Sequence, residues 1–232
     1  MSRRARHARR DGGLPNRRGP VAAALGVTGE LLLTAGLLVL LYVVYVLWGT
    51  GIQTGRAQDE LREQTIENWS DPVDAGVAPV DPAETDLGDG YAVLRIPTLG
   101  DDWEWVVVQG VELSDLARGP GHYDDTAGPG ELGNISIAGH RAGHGAPFAD
   151  LDRIEVGDTV EVETAAGTWT YTIDESARII EPTDTWVVDP VPGQGAGAEP
   201  TERRITLTTC HPRYGSSQRM YVSGVLTAGE EV

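Results

Sequence analysis

Two patterns of apolar residues divide this 232-residue chain. Residues 31–48 form an uncharged and mostly apolar run, and apolar residues extend back from it to Val21 past a single glutamate. From Tyr91 onward, apolar and polar residues instead alternate over short runs rich in valine, isoleucine, threonine, tyrosine and tryptophan. Alternation with a period of two is typical of strands whose two faces meet different surroundings. The pattern therefore predicts one long apolar helix followed by an all-β domain.

The apolar run is long enough to cross a membrane. A helix rises about 1.5 Å per residue, so roughly 20 residues span a hydrocarbon core of about 30 Å. Tyr42, Tyr45 and Trp48 lie towards the far end of the run, where amphipathic rings favour the membrane interface. A cleaved signal peptide is the alternative, but it would have a shorter apolar stretch and a small-residue cleavage site. We predict an uncleaved transmembrane helix over residues 21–49.

Eight short runs in the second part of the chain have the strand pattern. Only short pieces near 112–118 and 147–153 look helical. Many short strands with few helices favour a closed β-barrel or a β-sandwich. The predicted strands are 91–97, 104–110, 134–140, 158–164, 168–174, 177–182, 203–210 and 218–226.

Charge is distributed very unevenly along the chain. Residues 1–20 hold seven arginines and one acidic residue, whereas the chain from Thr50 onward holds 11 arginines and 33 acidic residues. Basic residues before a transmembrane helix orient the N-terminus to the cytoplasm, so we expect residues 50–232 outside the cell. The acidic remainder excludes a nucleic-acid surface, because phosphate binding needs a basic face.

The segment between the apolar run and the first strand has the composition of a connector. Residues 51–69 mix charged and apolar residues and are compatible with a juxtamembrane helix, whereas residues 70–90 contain three prolines and six acidic residues. The second part has too few large apolar groups to offset the entropy of ordering, which predicts a flexible stalk. The expected organisation is an arginine-rich cytoplasmic tail at 1–20, a transmembrane helix at 21–49, a juxtamembrane segment and stalk at 50–88, and an extracellular domain at 89–229.

Cys210 is the only cysteine, and it ends the strand pattern ITLTTC. A lone cysteine outside the cell cannot form an intrachain disulfide. A strand end can hold a thiol at the rim of a barrel, but a thiol with a pKa of about 8.5 needs a base or a cationic neighbour to act as a nucleophile. A buried, unreactive cysteine is the alternative. We interpret Cys210 as the candidate nucleophile.

One histidine is suitably placed to assist that cysteine. His140 follows the strand pattern NISIA, so it also lies at a strand end. His211 is adjacent to Cys210, and neighbours on an extended chain point to opposite sides. His140, His144 and Cys210 together suggest a metal site, but three nearby glycines disfavour the helix that would align the two histidines. We therefore expect no metal ion and take His140 as the candidate acid and base.

Arg219 begins the strand that follows Cys210. Two successive strands joined by a turn of eight residues bring Cys210 and Arg219 side by side near one rim. An arginine always carries its charge and presents a fork of donors, which suits a developing oxyanion or a peptide carbonyl. An ordinary surface arginine is the alternative.

The motifs TLTTC and NISIAGHR, with an arginine nine residues after the cysteine, resemble those of the sortases. Sortases are membrane-anchored cysteine transpeptidases of Gram-positive cell surfaces. The resemblance covers about residues 89–228, and the segment GPGHYDDTAGPGELGNISIAGHRAGHGAPF is most similar to the class E, housekeeping-type enzymes of actinobacteria. It implies the eight-stranded sortase β-barrel, in agreement with the strand pattern.

The resemblance implies a role for six residues. The catalytic residues would be Cys210, His140 and Arg219, and the substrate-binding residues would be Thr209, Tyr123 and Trp186. Trp186 lies in the irregular segment 183–202, where sortases have a loop that lines the substrate groove. The chemistry needs neither a metal ion nor an organic cofactor.

The implied reaction cleaves an LAxTG-like or LPxTG-like sorting motif between Thr and Gly and transfers the acyl group to an amine of a cell-wall peptide precursor. Partners would be secreted proteins that carry a sorting signal, the wall precursor and the membrane. Three alternatives stay open: a pilin-polymerising sortase with a lysine acceptor, an L,D-transpeptidase, and a non-catalytic surface adhesin or scaffold. The L,D-transpeptidases have an SHGC-like cysteine motif that TLTTC does not match. No second apolar run follows the β domain, which favours the housekeeping type.

Overall fold

A computed structural model describes residues 19–70, 85–195 and 197–231. The arginine-rich tail and most of the predicted stalk lie outside these residues, so their assignments stay predictions. The chain divides into two compact units, residues 1–43 and residues 44–232.

The first described segment is helical from end to end. Helix α1 covers Pro20–Val44, a π-helical turn covers Tyr45–Gly49, and helix α2 covers Thr50–Ser70. Within the described part of the chain, one helical stretch is long and apolar enough to cross a membrane, and it includes most of α1. The exposed apolar side chains of α1 fit that role, because they have no protein core to pack against.

The second unit contains an eight-stranded closed β-barrel. Around the barrel the strands follow the order β1, β2, β3, β4, β7, β8, β6, β5, and the β2–β3 and β4–β7 pairs are parallel. The strands are β1 Gly90–Arg95, β2 Glu104–Gln109, β3 Gly121–His122, β4 Gly133–Ala138, β5 Thr159–Thr164, β6 Gly167–Ile180, β7 Arg203–His211 and β8 Gln218–Glu231.

The predicted fold class is confirmed, but two strand assignments differ. The runs 168–174 and 177–182 form one continuous strand, β6, which pairs with β8 through several irregularities in register. The eighth strand is the two-residue β3, which alternation over such a short stretch cannot reveal. The two segments near 112–118 and 147–153 that looked helical in the sequence contain helix α3 (Leu113–Leu116) and a short 3-10 turn at Leu151–Arg153.

The barrel interior is filled by the inward-facing side chains of the strands. Tyr171, Tyr91 and Leu94 are among the largest of these, and each is fully buried. On β7, Ile205 and Leu207 belong to this core. Since successive residues of a strand face opposite sides, the alternate residues of β7, including Cys210, face outward.

Helix α2 packs against the outside of the same barrel. Gln58 accepts a hydrogen bond from the Val106 amide (2.7 Å) and donates one to the Arg118 carbonyl (2.8 Å). The buried Leu61 contributes to a small apolar cluster with Val93, Val106 and Val108. Residues 50–70 therefore belong to the same folded unit as the barrel.

The parallel pairing of β4 and β7 positions the functional site. Ala138 pairs with Thr208, and the Gly139 amide donates to the Thr208 carbonyl at 3.0 Å. His140 and Cys210 each lie two residues beyond that pair, in the same direction. The fold thus brings them to one rim from positions 70 residues apart in sequence.

Candidate active site

Cys210 and His140 line the same cavity, which has a volume of about 300 Å³. Both residues are half-buried, so each side chain is supported by the protein and still reachable from solvent. The remaining lining comes from the loop after β4, the β7–β8 turn and the π-helical turn that precedes α2: Val46, Leu47, Arg141, Ala142, Gly143, His144, Arg213, Tyr214 and Gly215. The cavity can hold a peptide carbonyl between a thiol and an imidazole.

The surroundings of His140 favour its neutral form. Burial lowers the pKa of His140 below its usual 6.5, and the nearby His144 lowers it further. The two imidazole rings are stacked, with their centroids 4.8 Å apart and their planes inclined by 22°. An imidazole with a low pKa releases a proton readily, which suits a group that must donate a proton and later accept one.

His211 is engaged away from the thiol, as its position beside Cys210 predicted. The guanidinium of Arg141 donates to Nδ1 of His211 at 2.7 Å, and it also pairs with Asp152 at 3.0 Å. Since an arginine can only donate, Nδ1 accepts and the proton of a neutral His211 is on Nε2. The buried Arg141 therefore joins the loop after β4 to the end of β7, a role for which the sequence offers no signal.

Arg219 lies directly opposite Cys210 in the β7–β8 ladder, as the strand spacing predicted. Its guanidinium donates to the carbonyl oxygens of Ser216 (2.9 Å) and Gln218 (3.0 Å), at the turn between the strands. It is absent from the residues that line the Cys210 cavity. In this structure Arg219 thus supports the turn beside Cys210.

Thr209 has a different partner from the substrate contact that the resemblance implied. It is buried, and its hydroxyl donates to the Gly139 carbonyl at 2.7 Å. It alternates with Cys210 along β7, so it faces inward while Cys210 faces outward. The hydroxyl links the end of β7 to the residue before His140, which fixes the two strand ends relative to each other.

Tyr123 and Trp186 lie along the outward face of β7. The Tyr123 hydroxyl is 3.4 Å from that of Thr208, and the Trp186 ring meets Tyr221 edge-on at 5.8 Å. Trp186 and Thr206 line a second cavity of about 290 Å³. Cys210, Thr208 and Thr206 are alternate residues of one strand, so the outward face of β7 runs from one cavity to the other.

Asn134 holds the loop that carries Trp186. Its side-chain amide donates to the Val187 carbonyl (2.9 Å) and the Asp189 carbonyl (3.1 Å), and its oxygen accepts from the Thr206 hydroxyl (2.8 Å). Asn134 and Thr206 are fully buried. No local sequence pattern predicts this network, because its partners are about 50 to 70 residues apart.

Comparison with known proteins agrees with this architecture. A model of the sortase domain matches residues 94–227. Sortase SrtE2 of Streptomyces coelicolor is 35% identical over 231 residues, which cover 95% of this chain and 90% of that protein. The chain belongs to the sortase family. It is a cysteine transpeptidase by family, and sortases anchor proteins to the cell wall.

Solved structures support placement of this sortase in class E. Sortase E of Streptomyces avermitilis is 39% identical with a TM-score of 0.57, covering 63% of this chain and 93% of the other. Sortase E1 of Streptomyces coelicolor is 35% identical with a TM-score of 0.57, again covering 63% of this chain and 93% of the other. Its structure has a tripeptide in the active site. In sequence, SrtE1 of that organism is 34% identical over 213 residues. These residues are 89% of this chain and 58% of SrtE1.

Proposed function

We propose that this sortase uses Cys210 and His140 to cleave an LAxTG-like or LPxTG-like sorting motif between Thr and Gly, and to transfer the acyl group to a cell-wall amine. The observation that carries the proposal is the meeting of these two side chains in one cavity at the ends of two adjacent parallel strands. Secreted proteins with a sorting signal are the acyl donors, and a wall peptide precursor is the acceptor.

The outward face of β7 supports an extended peptide as the donor. Four residues separate Cys210 from Thr206, a distance of about 13 Å along a strand. A motif of four residues before the scissile bond has about this length when it is extended. We place the leucine side chain of the motif against the cavity that Trp186 lines, and the middle of the motif beside Tyr123. The structure of the Streptomyces coelicolor relative has a tripeptide in its active site, which supports a peptide as the donor.

The reaction proceeds in two acyl transfers. The Cys210 thiolate attacks the Thr carbonyl, the carbon–nitrogen bond to Gly breaks, and protonated His140 donates its proton to the departing amine. The acceptor amine then attacks the thioester, passes a proton to neutral His140, and releases the thiolate. Arg219 would stabilise the oxyanion once its guanidinium turns from the Ser216 carbonyl to the substrate.

The test uses the full chain in mild detergent with a library of LxxTG peptides and amine acceptors, with products identified by mass. We expect Cys210→Ala to abolish the thioacyl intermediate, and His140→Ala and Arg219→Ala each to lower transfer about 100-fold or more. Arg62→Ala, at an ion pair between α2 and Glu104 of β2, is a matched control that should retain activity. Cleavage by Cys210→Ala would exclude this assignment.

Two further measurements separate the alternatives. Competition between a pilin-type lysine peptide and a wall-type amine for the same acyl-enzyme distinguishes a pilin polymerase from a housekeeping enzyme. Alkylation of Cys210 as a function of pH tests the adhesin hypothesis. A non-catalytic thiol should react no faster in the wild type than in His140→Ala or in denatured protein.

A further inference from the structure

The juxtamembrane helix contacts the loop that follows His140. Thr50, at the start of α2, is buried and has two hydrogen bonds through its hydroxyl. The hydroxyl donates to the Val46 carbonyl one turn earlier (2.8 Å) and accepts from the backbone amide of His144 (3.0 Å). The second bond joins residues 94 positions apart. It is therefore a tertiary contact, which the hydrogen bonding of the helix itself does not require.

The loop at this contact has an unusual backbone. His144 and Ala146 both have φ near +47°, a region that side-chain-bearing residues rarely adopt, and the flanking Gly143 and Gly145 are also left-handed. Such a conformation persists only where surrounding contacts determine it. The Thr50 hydroxyl supplies one of these contacts, at His144, which is one of the two left-handed residues that carry a side chain.

The conformation of His144 matters because its ring stacks on that of His140. His144 also contributes to the lowered pKa of His140, after burial. The other titratable or charged groups of the cavity are Cys210, Arg141, Arg213 and Tyr214, and the two arginines pair with Asp152 and Asp150. A shift in the His144 ring would thus change both the packing and the charge around the imidazole of His140.

We propose that Thr50 is a positioning residue for His140, and that it acts by holding the His144 backbone so that the two imidazole rings stack. This inference rests on the proposed role of His140 in proton transfer. It makes the start of α2 part of the catalytic apparatus, so that the segment next to the membrane helps set the state of the active site.

The first test replaces the hydroxyl in the full chain in mild detergent. Thr50→Val keeps the shape but removes both bonds, and we expect kcat for thioacyl formation to fall about five-fold with KM little changed. Thr50→Ser retains the hydroxyl and should restore kcat. Thr34→Val is the matched control, because Thr34 has the same bond to a carbonyl one turn earlier, that of Glu30, and it should leave kcat unchanged.

The second test follows the His140 imidazole by NMR as the pH is varied. Thr50→Val and His144→Ala should both move the His140 titration upward, towards 6.5, because each removes the stacked ring from its position. Thr34→Val should leave the titration where it is in the wild type. If Thr50→Val unfolds, His144→Ala still tests the contact between the two rings. His144 is only half-buried in a loop, so we expect this variant to stay folded.

The outcomes decide the inference separately from the proposed function. Wild-type kcat in Thr50→Val, an equal loss in Thr50→Ser, or an unchanged His140 titration in His144→Ala would each overturn the positioning role. If the wild type forms no thioacyl enzyme, the proposed function fails. The NMR titration still tests the contact between Thr50, His144 and His140 in that case.

Discussion

At the scale of single residues, His122 shows how a buried imidazole stabilises the loop that carries Tyr123. Its Nδ1 is 2.9 Å from the Gln109 side-chain oxygen, and its Nε2 is 3.0 Å from both the Thr126 hydroxyl and the Ala127 carbonyl. Burial lowers the pKa of His122 to about 4. The histidine is therefore neutral in the folded protein at neutral pH, and it holds its partners as a structural group.

This pKa predicts a loss of stability in mild acid. Because His122 has a lower pKa when folded than when unfolded, the unfolded chain binds the proton first. The stabilisation is present above about pH 6.5 and is lost as the pH falls towards 4, by about 3 kcal/mol in total. We expect His122→Gln, which has no titratable ring, to lose less unfolding free energy between pH 7 and pH 4. Denaturant unfolding at several pH values measures this, and equal losses in both proteins would contradict it.

At the scale of elements, buried hydrogen bonds of Asn134 hold part of the segment 183–202 on the barrel. The short turn Thr185–Val188 is tied to β4 and β7 through Asn134, and each of these bonds is buried. Breaking a buried hydrogen bond so that its partner stays unsatisfied costs about 1–3 kcal/mol. The Asn134 amide thus helps to hold Trp186 over the outward face of β7, together with the contact between Trp186 and Tyr221.

We expect Asn134→Leu to weaken substrate binding more than chemistry. The variant keeps the branching at Cγ but leaves two carbonyls without their donor, so KM for the sorting peptide should rise by roughly ten-fold while kcat changes less. Steady-state kinetics on the full chain measures both constants. Thr172→Val, which removes a hydroxyl pair with Thr227 on the exposed side of the barrel, is a matched control. A larger effect on kcat than on KM would contradict this role for Asn134.

The packing of α2 on the barrel gives a second prediction at this scale. Leu61 is 1% exposed and fills the contact between the helix and strands β1 and β2. Leu61→Ala should lower the free energy of unfolding by about 2–4 kcal/mol, because it leaves a cavity in that contact. Ile52→Ala, at a side chain that is 62% exposed, should change it by less than about 0.5 kcal/mol. Similar losses in the two variants would show that α2 does not pack in this way.

At the scale of the whole molecule, charge and hydropathy divide the chain into regions with different surroundings. The basic tail, the apolar helix and the acidic remainder follow one another in sequence. One helical stretch in the described residues can cross a membrane, and sortases are attached to membranes. We propose, from the charge distribution, that the barrel faces the outside of the cell.

The single cysteine makes this orientation measurable. A membrane-impermeant maleimide added to intact cells should label the wild type at Cys210, because the half-buried thiol is reachable from outside. In a Cys210→Ala protein with Ser2→Cys, labelling should require permeabilised cells, since Ser2 is expected in the cytoplasm. The reverse pattern would exclude the proposed orientation.

The sequence by itself determined the features that depend on local pattern or on motif. Period-two alternation identified seven of the eight strand regions, although it divided β6 into two and missed β3. Hydropathy identified the described helix that is long and apolar enough to cross a membrane, and the strand ends pointed to Cys210 and His140, which line one cavity. These features were predictable because the surroundings of a strand or a helix determine a periodic pattern of apolar and polar residues along it.

Only the tertiary structure decided which distant groups meet. The packing of α2 on the barrel, the bond from Thr50 to His144, the link from Arg141 to His211 and the hold of Asn134 on the Trp186 loop all join residues far apart in sequence. Each depends on one or two polar groups, whose partners are set by how the closed barrel brings its strand ends together. A single polar residue has no periodicity, so the pattern of the chain could not reveal these contacts.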